Sequence, residues 1–164
     1  MTSRGFAVRS ADDEDLPFLR RMLYEAANRP GTPWPSFDDS MEEPRNKRFW
    51  SGWMREGDIG VVAERGPVPV GAAWVRRFTG EELSPIDDPE VPVLAIGVER
   101  EHRGRGVGGL LLDALIDRAQ ANSIRAISLT TGVFNDAAMR LYRRRGFDEV
   151  LRRGDGVQMR LLLD

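Results

Sequence analysis

From Val91 to Val98 the chain reads VPVLAIGV, an almost wholly apolar run that passes directly into the charged, glycine-rich stretch EREHRGRGVGG. A strand with no polar side to offer water belongs at the buried centre of a sheet. From Val107 the pattern becomes helical, with Val107, Leu111, Ala114, Leu115 and Ala119 on one side and Asp113, Asp117 and Arg118 on the other. One side therefore packs and the other is solvated. AISLTT, which follows, reads as the next strand. Strand, glycine loop, helix and strand make one crossover, and a crossover joins parallel neighbours.

The flanking segments fill in a mixed α/β domain. GFAVRS reads as a first strand, and Ser10 or Asp12 can cap a helix carrying Leu16, Leu19, Leu23 and Ala27 at helical spacing. Arg29 to Pro44 is crowded with proline, glycine and turn formers and predicts an irregular excursion, with a helix or turn over RNKRFWSGWM after it. Ile59–Glu64 and Val70–Phe78 predict a hairpin around a Gly-Pro turn, followed by a polar loop, TGEELSPIDDPE. After the crossover, NDAAMRLYRRR predicts a helix stopping at Gly146, and FDEVLRR and VQMRLLL two last strands. With 164 residues, 41% of them apolar, and no long linker or repeat, the expectation is a single domain over 1–164.

The glycine loop admits three readings. GRGVGG matches G-x-G-x-x-G, the dinucleotide pattern, but that site needs an acidic residue about 20 positions on, where this chain has SLTTG. Glycines could also merely turn the chain from strand to helix. Four within six positions, beside Arg103 and Arg105, exceed what a turn needs, because each costs conformational entropy. Exposed amides at a helix start beside two arginines make an anion site.

The third reading takes the register Arg103-x-x-Gly106-x-Gly108 after an apolar strand. It resembles the acyl-CoA pyrophosphate loop of the GNAT-superfamily N-acetyltransferases. NDAAMRLYRRRGF is similar to that family's next signature, an Asn opening a helix, a Tyr two turns later and a Gly-Phe after it. The two motifs together cover Val93 to Phe147, about a third of the chain. The resemblance implies a central, mostly antiparallel sheet flanked by helices, whose fourth and fifth strands are parallel and splay apart to admit acetyl-CoA as cosubstrate.

The resemblance also implies roles. Amides from Arg105, Gly106, Val107, Gly108 and Gly109 would meet the pyrophosphate, with Arg103 and Arg105 adding charge and Gly104 part of the same cofactor-binding loop. Ile96, Gly97 and Val98, at the end of the fourth strand, would bind the pantetheine arm as a pseudo-strand, Gly97 suiting a bulge there. The Val98 N–H would polarise the thioester carbonyl as a partial oxyanion hole. Asn135 would hydrogen-bond the pantetheine, and Tyr142, seven residues on and so roughly 10 Å along the same helix face, would protonate the departing thiolate. Read without the resemblance, Asn135 is a helix N-cap and Tyr142 a core-edge aromatic. The implied reaction is direct transfer of acetyl to a primary amine of a small molecule or peptide; the alternative is a non-catalytic acyl-CoA-binding sensor or interaction module.

Other residues carry less chemistry. Many family members have a Glu near the start of the fourth strand, where this chain has Val91-Pro92-Val93-Leu94, so Glu81, Glu82, Asp87, Asp88 and Glu90 stand as the nearest acids to attract an amine. Trp34, Phe37 and Trp53 are candidates for an acceptor pocket, with Trp53 and Trp74 also readable as core. Arg143, Arg144 and Arg145 suit a helix C-terminus, one of them within reach of a 3′-phosphate, and His102 reads as a solvated loop residue. With 24 basic against 26 acidic residues, scattered, a nucleic-acid partner is not expected. The lack of cysteine excludes thiol catalysis and thiolate metal sites, and no metal is expected. No segment approaches a bilayer-spanning apolar length and no signal core precedes the first strand, so a cytoplasmic protein without membrane partners is expected. A homodimer is compatible with the sequence.

Overall fold

Alternation along the central strands sends their side chains to two cores. Val61, Ala63, Ala73, Val75 and Leu94 join one, and Val62, Ala72, Trp74 and Ala95 the other, all buried. Such double-sided burial requires helices on both faces. The computed structural model describes residues 2, 3, 5–27 and 36–164. Its strands are β1 (Thr2–Ser3), β2 (Phe6–Ser10), β3 (Ile59–Arg65), β4 (Val68–Arg76), β5 (Val93–Val98), β6 (Ala126–Gly132), β7 (Asp148–Arg153) and β8 (Gly156–Leu162). They form one sheet in the order β1-β2-β3-β4-β5-β6-β8-β7, antiparallel everywhere except between β5 and β6. The mostly antiparallel sheet with one parallel junction is as expected; β1 is an addition too short to show an alternation.

The helices are α1 (Leu16–Ala27), α2 (Phe37–Glu42), α3 (Pro44–Lys47), α4 (Val107–Ala121) and α5 (Asp136–Arg143). α1 packs on β4 and β5 from one side, and α4 crosses β2 to β5 from the other. Leu111, Leu112 and Leu115 of α4 are fully buried, each stabilising the fold by about 1.5–3 kcal/mol. None of the helices is long and apolar enough to cross a membrane, among the described residues.

One expectation fails in part. The excursion from Arg29 to Pro44 is not irregular throughout: its described end forms α2 and enters α3. Ser36 caps α2 by accepting from the Asp39 N–H at 3.1 Å, Asp38 and Asp39 sit in the first turn, and Pro44 opens α3. These are helix-start signals that the surrounding prolines obscured.

Candidate active site

The register around β5 creates an opening. β4 and β5 pair without interruption from Arg76↔Val93 to Gly71↔Val98, and the Glu99 N–H donates to the Val70 carbonyl at 2.8 Å. Backbone groups alternate sides along a strand. Since Glu99 points its N–H at β4, Val98 and Ile96 point theirs away from it, toward β6. Between β5 and β6, however, the register holds a single pair, Val93↔Ser128, with the Ser128 N–H donating to the Pro92 carbonyl at 3.0 Å. β6 then continues along β8 as far as Gly132↔Gly156. The two parallel strands thus part beyond Val93, and the N–H groups of Ile96 and Val98 face the wedge between them. An extended chain carrying amides can use such an edge as if it were a strand.

Gly97 corrects an expectation. The register runs through it without a shift, so it marks no bulge. It is glycine because α1 lies against it: a Cβ there would come within 2.4 Å of the Met22 carbonyl oxygen. The small residue brings a helix backbone onto the wall of the wedge.

Beyond β5 the loop bends twice through left-handed backbone, at Gly104 (φ 75°) and Gly106 (φ 85°). Gly106 occupies the N-cap of α4 with no side-chain cap, and the first helical hydrogen bond runs from Leu110 N–H to Gly106 C=O at 3.1 Å. The amides of Val107, Gly108 and Gly109 therefore start the helix without intrahelical acceptors, at its positive end. Arg105 is exposed beside them. Arg103 turns back instead: its Nε donates to the Val98 carbonyl at 3.0 Å, and its Nη2 lies 3.4 Å from the Glu25 carbonyl and 3.6 Å from the Glu25 carboxylate. It ties the end of β5 to α1. The Val107 side chain is core, and buried Gly109 lies under Arg145, whose Nη2 would be 2.5 Å from a Cβ there.

On α5, Asn135 is the N-cap, its Oδ1 accepting from the Ala138 N–H at 3.2 Å, which leaves Nδ2 as its donor. Tyr142 is only 7% exposed and shares a core with Ile96, Val98, Val107 and Met139. Its ring lies 5.8 Å from that of Phe147, and burial pushes its phenol up to about 12. The structure thus gathers the strand end, the helix start and Tyr142 on one face of the sheet. Arg145 pairs with Asp113 (2.9 Å) and Arg143 with Glu149 (3.7 Å), so two of the three arginines have protein partners.

The acidic loop is less available than expected. Glu82 forms a two-point pair with Arg55, both contacts 2.8 Å, which holds its carboxyl below the usual range. Asp87 accepts from Arg48 at 2.6 Å and from the Ser84 N–H at 2.7 Å, and Asp88 accepts from the Glu90 N–H at 2.9 Å. Glu81 and Glu90 are exposed. Trp53 is core, its Nε1 donating to the Asp12 carbonyl and its ring edge-on to Trp74. Trp74 is fully buried, with its Nε1 on the Phe49 carbonyl. Phe37 lies at the start of α2 against Tyr24 and under Arg20, and Trp34 lies outside the described residues. His102 is not simply solvated: its ring packs 5.9 Å from Phe6 and its Nδ1 is enclosed.

Sequence reasoning did not find Arg21 and Glu25, one turn apart on α1, which pair with Glu99 and Arg103 at the end of β5. Opposite charges four apart are a surface pattern of helices in general, and nothing local said that their partners lay about eighty residues on.

Residues 20–147 match the model of the acetyltransferase (GNAT) family. The chain is 34% identical over 146 residues to the N-alpha-acetyltransferase RimI of Mycobacterium tuberculosis, covering 88% of this chain and 77% of that one. It is 30% identical over 157 residues to an uncharacterised N-acetyltransferase of Methanocaldococcus jannaschii, covering 89% of this chain but 62% of the relative's length. Among solved structures, yncA of Salmonella typhimurium, determined with its cofactor acetyl-CoA, superposes with a TM-score of 0.71 at 22% identity, over 98% of this chain and 95% of that one. A ribosomal-protein-alanine N-acetyltransferase of Brucella melitensis gives 0.70 at 23%, over 96% and 99%.

Proposed function

The chain belongs to the acetyltransferase (GNAT) family, and from that premise we propose that it binds acetyl-CoA in the wedge between β5 and β6 and transfers acetyl directly to a primary amine. The observation that carries the proposal is the free edge at Ile96 and Val98, ending beside the uncapped start of α4. Acetyl-CoA supplies a thioester carbonyl, a pantetheine arm with two amides, and a pyrophosphate. The edge amides suit the arm, and the amides from Arg105 to Gly109 with the exposed Arg105 suit the pyrophosphate. Arg103, turned back onto the Val98 carbonyl and Glu25, holds the strand end.

In the transfer, the amine nitrogen forms a bond to the acetyl carbon while the carbon–sulfur bond breaks. The Val98 N–H donates to the carbonyl oxygen as negative charge gathers there. Tyr142 gives its proton to the leaving sulfur and regains one from solvent afterwards. With its phenol near 12 and a free thiol near 8.5, the proton would move uphill by about 5 kcal/mol if the sulfur were in water. The same apolar burial that raises the phenol also disfavours a thiolate, which narrows the gap. The acceptor amine loses its proton to water: Glu82 and Asp87 are engaged by arginines, and Glu81 and Glu90 are exposed acids of the loop that serve to attract a cation.

That engagement also favours a second reading, a non-catalytic acyl-CoA-binding module. Incubation with radiolabelled acetyl-CoA over a panel of amines and peptides separates them. Label appearing on an amine supports transfer; tight acetyl-CoA binding with no acceptor labelled across the panel supports the module.

A further inference from the structure

β7 ends the sheet beyond β8, and all six of its residues are exposed, Val150 and Leu151 at 50% and 39%. A bare edge invites pairing with another chain. Its sequence, DEVLRR, sets two acids before an apolar pair and two bases after it. Residues directly opposed in an antiparallel pair share a sheet face, and in an unbroken strand Asp148 and Arg153 would lie on opposite faces, so no twofold pairing of this strand with itself could match both acids to both bases.

The ladder with β8 removes that obstacle. Its register reads Asp148↔Arg160, Glu149↔Met159, Leu151↔Gln158, Arg152↔Val157 and Arg153↔Gly156, with a shift between Glu149 and Leu151. Val150 is the extra residue of a bulge. With Val150 outside the alternation, Glu149 and Arg152 share one face, while Asp148, Leu151 and Arg153 share the other. The Glu149–Arg152 contacts of 2.9 and 3.0 Å within the strand agree with this.

We propose that β7 is a homodimer interface, with a second copy of this chain pairing antiparallel about a twofold axis at Leu151 and joining two sheets into one. In that arrangement Glu149 stands opposite Arg152 and Asp148 opposite Arg153, in both halves, with no like charges opposed. Charges that only guarded an edge would need no such order of sign; this order accepts one partner strand in one register.

Sedimentation of the full chain at micromolar to high-micromolar concentration, with circular dichroism to verify folding, tests the interface. Wild type is expected to be dimeric. Glu149→Arg and Arg152→Glu, each placing like charges opposite one another twice, should weaken the dimer roughly ten- to a hundredfold. Both substitutions in one chain restore the pairing and the dimer. Mixing the two single variants should form a heterodimer, although neither chain keeps its own Glu149–Arg152 contact, so recovery on mixing reports the bond between chains and not the one within. A wild type that stays monomeric over the range, single variants that dimerise as wild type does, or a mixture that stays monomeric would each overturn the interface.

Discussion

Replacing Arg76 with methionine removes a guanidinium that is wholly enclosed. Its Nε and Nη2 reach the two Asp58 carboxylate oxygens at 2.9 and 2.6 Å, and its Nη1 donates to the carbonyls of Arg48 and Ser51. The Arg76 and Asp58 side chains are 0% and 1% exposed. The Asp58 carboxylate would keep only the Arg55 N–H at 3.0 Å. Removing one partner of a buried pair costs about 3–5 kcal/mol, because the other charge stays buried without it. Two orphaned carbonyls add to this, so a loss of about 4 kcal/mol or more is expected, against about 5–15 kcal/mol for a whole domain. In a chain of this length that lowers Tm by about 10 °C or more. Urea unfolding followed by circular dichroism measures it, and Asp58→Leu together with Arg76→Met should recover much of the loss, since apolar pairs replace buried ion pairs well. A single variant within about 1 kcal/mol of wild type, or a double variant as weak as the two losses added, would refute the reasoning.

Gly97→Ala should destabilise by about 1–3 kcal/mol in thermal melts, because its Cβ meets the Met22 carbonyl and not a side chain that can swing aside. Tyr142→Phe keeps the ring against Phe147; turnover should fall about a hundredfold or more, with acetyl-CoA affinity unchanged by calorimetry. Ionisation of Tyr142 sets a pH window for stability: its folded value of about 12 lies above the free phenol's 10. Stability from the neutral phenol is thus complete below pH 10 and is lost as pH rises toward 12, by at most about 2.7 kcal/mol, which Tyr142→Phe should abolish in alkaline unfolding curves.

The central crossover was legible because each of its parts has a local cause. VLAIGV is too apolar to lie anywhere but inside a sheet, and the helix after the glycines alternates apolar and charged faces. Just beyond the crossover, Asn135 caps α5 by accepting from the N–H three residues ahead. Register and long-range pairing were not legible. Gly97 looked like a bulge because glycine in a strand has two explanations, and only the position of α1 selects between them. The acids of Thr79–Glu90 read as free charge, since the arginines that hold Asp87 and Glu82, Arg48 and Arg55, lie 39 and 27 residues earlier. Arg76 read as one more strand residue; its burial depends on Asp58, across a hairpin. The parting of β5 from β6 was expected only through the family resemblance, because composition does not record where a hydrogen-bonded pair stops.

The central claim is that the edge of β5 binds acetyl-CoA, and amide hydrogen exchange read by NMR tests it at single residues. Ile96 and Val98 should become protected on addition of acetyl-CoA, while Gly97, whose N–H already faces β4, should change far less. Acetyl-CoA binding that leaves Ile96 and Val98 exchanging as before would contradict the account.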